Sequence, residues 1–226
     1  MQRALWACAL LVGAQARAQF GASVGIESDY RFRGVSLSDG RPDGRLSVSY
    51  DHDSGAFAGA TATQVEFTRG RHSTQLLGYA GLVVRATPEL SGEFGVARST
   101  FTRDARYDYS EVFAGAVSER WSLRAYYAPD YFGFGRATTY LELDANAPLA
   151  TKWRVFGHVG ALTAHGSGAI EDQRRTRVDV RFGVGLSVTE SVDVQLAWVG
   201  ASRGGPYVVE YNTRREALVL GVLASF

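Results

Sequence analysis

The last eleven residues decide the fold: Glu216-Ala217-Leu218-Val219-Leu220-Gly221-Val222-Leu223-Ala224-Ser225-Phe226. Counting back from Phe226, every second residue is apolar: Ala224, Val222, Leu220 and Leu218. A strand with one apolar face and a terminal aromatic residue is typical of the closing strand of a bacterial outer-membrane β-barrel, where the aromatic ring lies in the interfacial girdle. The alternative is a chance phenylalanine on an ordinary edge strand.

The N-terminus has the features of an export signal. Met1-Gln2-Arg3 is basic, Ala4 to Ala14 is apolar, and Ala16-Arg17-Ala18 is an A-x-A cleavage site. The apolar stretch is too short for a membrane-spanning helix, which needs about 20 residues. We therefore predict a signal peptide over residues 1–18 and one barrel domain over residues 19–226. Cys8 is the only cysteine, so the mature domain would have no disulfide and no thiolate chemistry.

Composition narrows the possible partners. No later apolar run is long enough for a helical span, which excludes a helical membrane protein. The chain has 24 basic and 23 acidic residues, and loss of Arg3 and Arg17 with the leader leaves 22 against 23. Nucleic-acid binders carry a concentrated basic face, so no nucleic-acid partner is expected. No motif for a metal or another cofactor is present.

Alternation with a period of two dominates the chain. The clearest case is Arg177 to Val188, where an apolar residue occupies every second position. Twelve strands are predicted, near 20–35, 44–53, 56–67, 74–86, 90–100, 107–117, 121–129, 138–147, 153–163, 176–188, 192–200 and 214–226. Ten or fourteen strands remain alternatives, because Leu76-Leu77, Val83-Val84 and Val112-Phe113 put apolar residues on both faces.

The connections and the aromatic residues favour a membrane barrel over a soluble one. A soluble sandwich or lipocalin would show the same alternation with its apolar face inside. Here, however, short turns alternate with mostly longer, charged loops, which is the outer-membrane pattern and puts both termini in the periplasm. The strands also exceed the soluble average of about five or six residues. We predict an aromatic girdle that contains Trp121, Trp153, Trp198 and Phe226.

One segment resembles a known family. Ser28-Asp29-Tyr30-Arg31-Phe32-Arg33-Gly34-Val35-Ser36-Leu37-Ser38-Asp39-Gly40 is similar to the N-terminal signature of the TorF-like porin family of short Gram-negative outer-membrane proteins, and residues 48–59 resemble the hairpin that follows it. Phe32 and Leu37 depart from the pattern, in which many relatives have tryptophan and glutamine. The resemblance implies an integral outer-membrane barrel that is presumed to be a channel, with no catalytic residues to carry over.

With the apolar face outward, a mixed set of charges is predicted to line the lumen: Arg31, Arg33, Asp51, Glu66, Glu93, Arg124, Glu142, Asp144, Arg154, Arg177, Asp179, Arg181 and Asp193. These charges either brace the wall as ion pairs or form a transverse field that filters polar solutes. Arg31 and Arg33 would end the first strand, either at an anion-favouring constriction or paired with Asp29, Asp51 or the closing strand. Ala58, Ala60 and Ala62 are expected inward. No loop is long enough for a large plug, although 164–175 and 201–213 are candidates for partial inward folding.

The sequence thus predicts a passive outer-membrane channel for small polar solutes. The alternatives are a non-conducting structural or surface-binding barrel and, third, an outer-membrane hydrolase. The hydrolase would use His165 with Ser167 and Glu171 or Asp172. The expected partners are outer-membrane lipid and lipopolysaccharide, the latter through loop arginines, and the barrel-assembly machinery, through the strand that ends at Phe226.

Overall fold

The computed structural model describes residues 19–166, 175–206 and 214–226. No helix in this part of the chain is long and apolar enough to cross a membrane. The strands are β1 Gln19–Glu27, β2 Arg31–Phe32, β3 Val35–Ser36, β4 Asp43–Asp51, β5 Ala56–Thr68, β6 Arg71–Arg85, β7 Ser91–Phe101, β8 Tyr109–Val117, β9 Trp121–Ala128, β10 Thr138–Ala150, β11 Trp153–Ala164, β12 Thr176–Ser187, β13 Val192–Ala201 and β14 Glu216–Ser225.

Twelve of these strands form a closed antiparallel barrel. Strands β4 to β14 pair in chain order, and β1 closes the cylinder between β14 and β4. At the closure, Val24 is opposite Ala224 and Ile26 is opposite Val222, so the C-terminal strand seals the barrel as predicted. The twelve-strand prediction is confirmed, and the alternatives of ten and fourteen strands are excluded.

The apolar residues face outward. Phe182 on β12 is 63% exposed and Leu196 on β13 is 47% exposed. On the same strands Asp179 and Gln195, which have the opposite phase, are buried. A soluble sandwich would bury the apolar set, so the alternation belongs to a barrel whose apolar side chains meet the surroundings and whose polar side chains lie inside.

The strands of ambiguous phase have a defined orientation. Phe113 is buried inside the barrel, whereas Val112 is exposed on the outside. The prediction that Ala58, Ala60 and Ala62 point inward is wrong, since Phe57, Thr63 and Val65, which have the opposite phase, are buried. Phe57 and Val65 are apolar residues on the inner face, so the assumption that apolar side chains point outward gives the wrong phase for this strand.

The two ends of the barrel differ. One end, the short-turn end, has the turns at 52–55, 86–90, 118–120, 151–152 and 188–191. The other, the loop end, has connections at 28–42, 69–70, 102–108, 129–137, 165–175 and 202–215. Trp121 and Trp153 begin strands at the short-turn end, Phe226 follows β14 at the same end, and Trp198 lies on β13 toward the loop end. All four rings are exposed on the outside.

The first strand is shorter than predicted. Strand β1 ends at Glu27, and residues 28–42, which we call the inner segment, leave the wall and fold into the barrel. Strands β2 and β3 form a hairpin there, with Arg33 and Gly34 at its turn. Both have positive φ, 48° and 78°, as a two-residue turn of this kind requires. A Cβ on Gly34 would lie 2.7 Å from the Cβ of Ala201, so the turn packs directly against the inner wall.

Candidate functional site

The candidate site is the barrel interior, where most of the predicted lumen residues lie. Ten of them occupy inward-facing positions on the strands: Asp51, Glu93, Arg124, Glu142, Asp144, Arg154, Arg177, Asp179, Arg181 and Asp193. The remaining three, Arg31, Arg33 and Glu66, are not on the inner wall.

One row of the sheet brings four charges together. In register across neighbouring strands lie Glu93, Gly115, Arg124, Glu142, Gly160 and Asp179. The side chain of Arg124 crosses Gly115 and donates from Nε to Glu93, and its Nη1 is 3.8 Å from Glu142 Oε1. The hydroxyl of Tyr126 donates to the same carboxylate oxygen at 3.0 Å. Since a Cβ at Gly115 would approach Arg124 Cγ to 2.9 Å, the missing side chain is what leaves room for this bridge.

His158 lies at the centre of a second group. Its Nδ1 is 2.8 Å from Asp144 Oδ1 and its Nε2 is 3.1 Å from Asp179 Oδ1. The hydroxyl of Tyr140 lies 3.0 Å from the same Nε2. An imidazole with a carboxylate at each nitrogen can donate from both as a cation.

The same region holds a candidate set of metal ligands. Ligand atoms of Glu142, Asp144 and His158 lie within 4.8 Å of one another. Carboxylate and imidazole are donors that a divalent transition metal accepts. The two ring nitrogens of His158 already face Asp144 and Asp179. A protonated His158 therefore supplies the positive charge next to these carboxylates that a metal ion would otherwise supply.

A third group joins distant strands across the interior. Glu27 on β1 lies between two arginines, with Oε2 3.3 Å from Arg45 Nη2 and Oε1 3.3 Å from Arg181 Nη2. Nearby, Arg154 Nη1 donates to Asp193 Oδ1 at 2.8 Å. The interior charges therefore form ion pairs that link β1, β4, β11, β12 and β13.

The positions of Arg31 and Arg33 differ from the prediction. Neither extends the first strand, because both belong to the hairpin of the inner segment. Arg31 Nε donates to Asp29 Oδ2 at 2.7 Å, a pairing that the sequence anticipated. Arg33 donates from Nη1 and Nη2 to the two carboxylate oxygens of Glu111 on β8, at 2.8 and 2.9 Å. Glu111 was missed because the phase of its strand was ambiguous in sequence.

Aromatic rings surround the buried guanidinium. Its Cζ lies 4.2 Å from the ring centre of Tyr140 and 5.0 to 5.3 Å from those of Phe32, Tyr126 and Tyr131. Burial alone would lower the pKa of Arg33, but Glu111 and the neighbouring tyrosines outweigh it, and the pKa lies well above its usual value. Arg33 is therefore a charged anchor for the inner segment.

A hydrophobic cluster lies at the loop end of the interior. Leu37 of the inner segment is 0% exposed, and its carbonyl accepts a hydrogen bond from the Glu66 amide at 2.6 Å. Around it pack wall residues and residues from the loops: Val65, Phe67, Phe101, Tyr107, Tyr109, Ala128, Tyr131, Phe132, Tyr140 and Leu162. The expectation that no loop forms a large plug is therefore wrong, and the segment responsible is 28–42. Most of the two candidate loops, 164–175 and 201–213, lies outside the described residues.

The interior opens toward the short-turn end. Along β10 the inward residues change from Tyr140, 2% exposed, through Glu142 to Asp144, whose side chain is 46% exposed, and then to the exposed Asn146. Asp51, at the short-turn end of β4, is only partly buried. Solvent thus reaches the ion-pair groups from this end, whereas the cluster around Leu37 covers them from the other.

Two further predicted residues lie elsewhere. Glu66 is buried at the loop end, where it accepts a hydrogen bond from the Gly70 amide at 2.5 Å and lies 3.3 Å from Arg41. It therefore holds the rim rather than lining the inner wall. His165 lies 2.8 Å from the Thr139 hydroxyl. Its proposed partners Ser167, Glu171 and Asp172 lie outside the described residues.

The sequence matches a family model over residues 12–226, and that family is described as Gcw_chp, a bacterial protein of unknown function. The chain belongs to the Gcw_chp family. No curated protein sequence matches it. Two porin structures are similar in fold. The KdgM porin has a TM-score of 0.58 at 11% identity, with 91% of this chain and 99% of the porin covered. The NanC porin has a TM-score of 0.61 at 9% identity, again with 91% and 99% covered.

At such low identity the likeness shows the fold alone. This Gcw_chp member thus shares the architecture of outer-membrane porins, which is what the resemblance of residues 28–59 implied. The matching family model carries the name Gcw_chp, not the TorF name of that resemblance.

Proposed function

We propose that this Gcw_chp protein is a passive outer-membrane channel for small polar solutes. The observation that carries the proposal is the closed barrel with an apolar exterior and an interior of ion pairs, several of them partly exposed to solvent. Apolar side chains on the outside suit hydrocarbon, whereas charged groups inside need either partners or water. A barrel that needed only to be stable could be filled with apolar side chains.

The path for solutes would begin at the short-turn end, beside Asp51 and Asp144, and pass the groups around His158 and Arg124. Along this wall Arg124 lies between Glu93 and Glu142, and His158 lies between Asp144 and Asp179, so a polar solute meets both hydrogen-bond donors and acceptors. Twelve strands make a narrower cylinder than the sixteen or more of large porins, and the inner segment narrows it further. Small solutes therefore fit the proposal better than large ones.

The proposed location follows from the same features. The leader over residues 1–18 would direct export, the barrel would insert into the outer membrane with the short turns in the periplasm, and the strand ending at Phe226 would engage the assembly machinery. No catalytic residue is assigned, since the hydrolase alternative rests on His165 and on residues outside the described part of the chain.

Single-channel recording tests the function. Residues 19–226, refolded and inserted into a planar lipid bilayer, should give discrete current steps in potassium chloride. The matched control is the same protein after heat denaturation, at equal concentration. Absence of steps at saturating protein, when folding has been shown by heat-modifiable gel mobility, would contradict the channel and favour the non-conducting structural barrel.

A further inference from the structure

The outside of the barrel carries an apolar groove on strands β4 to β7. Its volume is about 470 Å³, and its outward-facing residues are Leu46, Val48, Ala60, Ala62, Leu76, Gly78, Arg98 and Thr100. The strand register puts Val48, Ala60, Gly78 and Arg98 in one row across the four strands. Ala60 and Gly78 are small, whereas Val48 and Leu46 beside them are large and exposed, so the wall is recessed between its bulky residues.

Arg98 marks the depth of the groove in the membrane. On the outer face of β7, Phe94 and Val96 are exposed apolar residues, and Arg98 and Thr100 follow them toward the loop end. Charged side chains are costly on the lipid face near the midplane and tolerated near the interface. The apolar band therefore ends at Arg98, which lies at the level expected for lipid headgroups. On β7 the groove is lined by Arg98 and Thr100, and it continues across β6 and β5 to Val48 and Leu46 on β4.

The rim above the groove is basic. Arg98 is largely exposed, with Nη1 3.0 Å from the Ser110 hydroxyl and Nη2 3.7 Å from Asp108. The first residue of β6 and the neighbouring connections add further exposed arginines: Arg71, Arg69, Arg103 and Arg106. The carboxylates of these connections are covered by arginines, since Asp104 is buried 3.4 Å from Arg71 and Asp108 is mostly covered 3.7 Å from Arg98. Guanidinium groups are therefore what this rim presents to the membrane surface.

We propose that this groove and rim bind lipid A, the phosphorylated glycolipid of the outer leaflet. An acyl chain would occupy the recess over Ala60 and Gly78. A phosphate would accept hydrogen bonds from Arg98 and the rim arginines, whose planar donors match phosphate oxygens. The proposal goes beyond the channel function. It rests on the proposed location in the outer membrane and not on conduction, because lipid binding is measured without a current.

The test uses residues 19–226 refolded in detergent, with lipid A that carries both phosphates as the probe and native mass spectrometry as the readout. Arg98→Gln removes the charge, and Gly78→Leu fills the recess, where an added Cβ meets no atom within 4 Å. Each should weaken binding about tenfold, the loss of one charged hydrogen bond or of one chain contact. Arg203→Gln, an exposed arginine between β13 and β14, is the matched control and should bind as the parent does.

Several results would overturn the proposal: equal binding by Arg98→Gln and the parent, equal binding by Gly78→Leu and the parent, or equal binding of dephosphorylated lipid A. Competition by phosphatidylglycerol at the same concentration would also overturn it, since the site would then be a general lipid contact. Heat-modifiable mobility of each variant shows that it is folded. A silent protein that binds lipid A would contradict the channel alone.

Discussion

At the scale of single residues, Arg33 is the most informative position. A positive φ costs a residue other than glycine roughly 1–2 kcal/mol, and Arg33 adopts a φ of 48°. Its bidentate pairing with Glu111 offsets that cost and holds the turn against the wall. The sequence predicts a strand at Arg33 because alternation continues through Arg31 and Phe32 after the chain has left the sheet at Ser28. Local pattern cannot distinguish a wall strand from a hairpin inside it.

Replacing Arg33 by alanine should leave Glu111 buried without its cation. Breaking one partner of a buried pair costs about 3–5 kcal/mol, so the free energy of unfolding in urea should fall by that order when measured in phospholipid vesicles. Arg98→Ala is the matched control. Its side chain is 60% exposed and pairs with Asp108, which is also partly exposed, and a surface pair contributes about 1 kcal/mol or less. Equal effects of the two variants would contradict the anchoring role.

Gly160 tests the packing around His158. A Cβ there would overlap the Tyr140 hydroxyl and lie 2.8 Å from Asp179 Oδ2. Gly160→Ala should therefore lower the unfolding free energy by about 1–3 kcal/mol, as overpacking does. Gly78→Ala, on the outer face of β6 with nothing within 4 Å of the added Cβ, should be nearly neutral in the same unfolding experiment. A neutral Gly160→Ala would show that Tyr140 and Asp179 do not pack against Gly160 as described.

At the scale of elements, strand boundaries followed from sequence except where the chain turns inward. The short turns and the strands from β7 to β14 lie close to their predicted positions. In each of these strands every second residue faces lipid, and the resulting alternation can be seen in the sequence. The inner segment escaped detection because its apolar residues, Val35 and Leu37, alternate like those of a strand. Their burial depends on Phe67, Phe101 and Phe132, which lie far away in sequence. The apolar inner residues Phe57 and Val65 hid the phase of β5 in the same way.

Excision of the inner segment should widen the channel. Replacing residues 29–41 by a short Gly-Ser linker removes the hairpin and exposes the interior at the loop end. Single-channel conductance should rise severalfold over the parent, while heat-modifiable mobility shows an intact barrel. Arg120→Gln in a turn at the other end is the control and should conduct as the parent does. An unchanged conductance in the excised protein would mean that the segment does not narrow the path.

At the scale of the whole molecule, the closed barrel was predictable and the interior network only partly so. Alternation, strand length and the aromatic end of β14 specify a membrane barrel almost without tertiary information. The ion-pair partners could not be predicted in the same way. Arg181 pairs with Glu27 across two intervening strands, and Arg33 pairs with Glu111 from the inner segment. Such partners depend on barrel closure and on the path of the inner segment, which no local spacing encodes.

Neighbouring residues of β12 test the orientation of the wall. Asp179→Leu removes the carboxylate that binds Tyr140 and His158 and should lower the unfolding free energy by about 1–3 kcal/mol, the cost of leaving buried polar groups unpaired. Val180→Leu, which points outward toward lipid, should change it by less than about 0.5 kcal/mol. Urea unfolding followed by tryptophan fluorescence measures both. The opposite ranking would mean that the inward and outward faces have been exchanged.

The most direct measurement compares two adjacent residues of β4 in a protein made of residues 19–226, which contain no cysteine. Leu46→Cys and Ser47→Cys, each labelled with the same fluorophore in lipid vesicles, are exposed to a quencher confined to the hydrocarbon and then to one confined to water. We expect the label at position 46 to respond to the lipid quencher and the label at position 47 to the aqueous one. Aqueous quenching at position 46 with lipid quenching at position 47 would contradict a barrel with an apolar exterior and a charged interior.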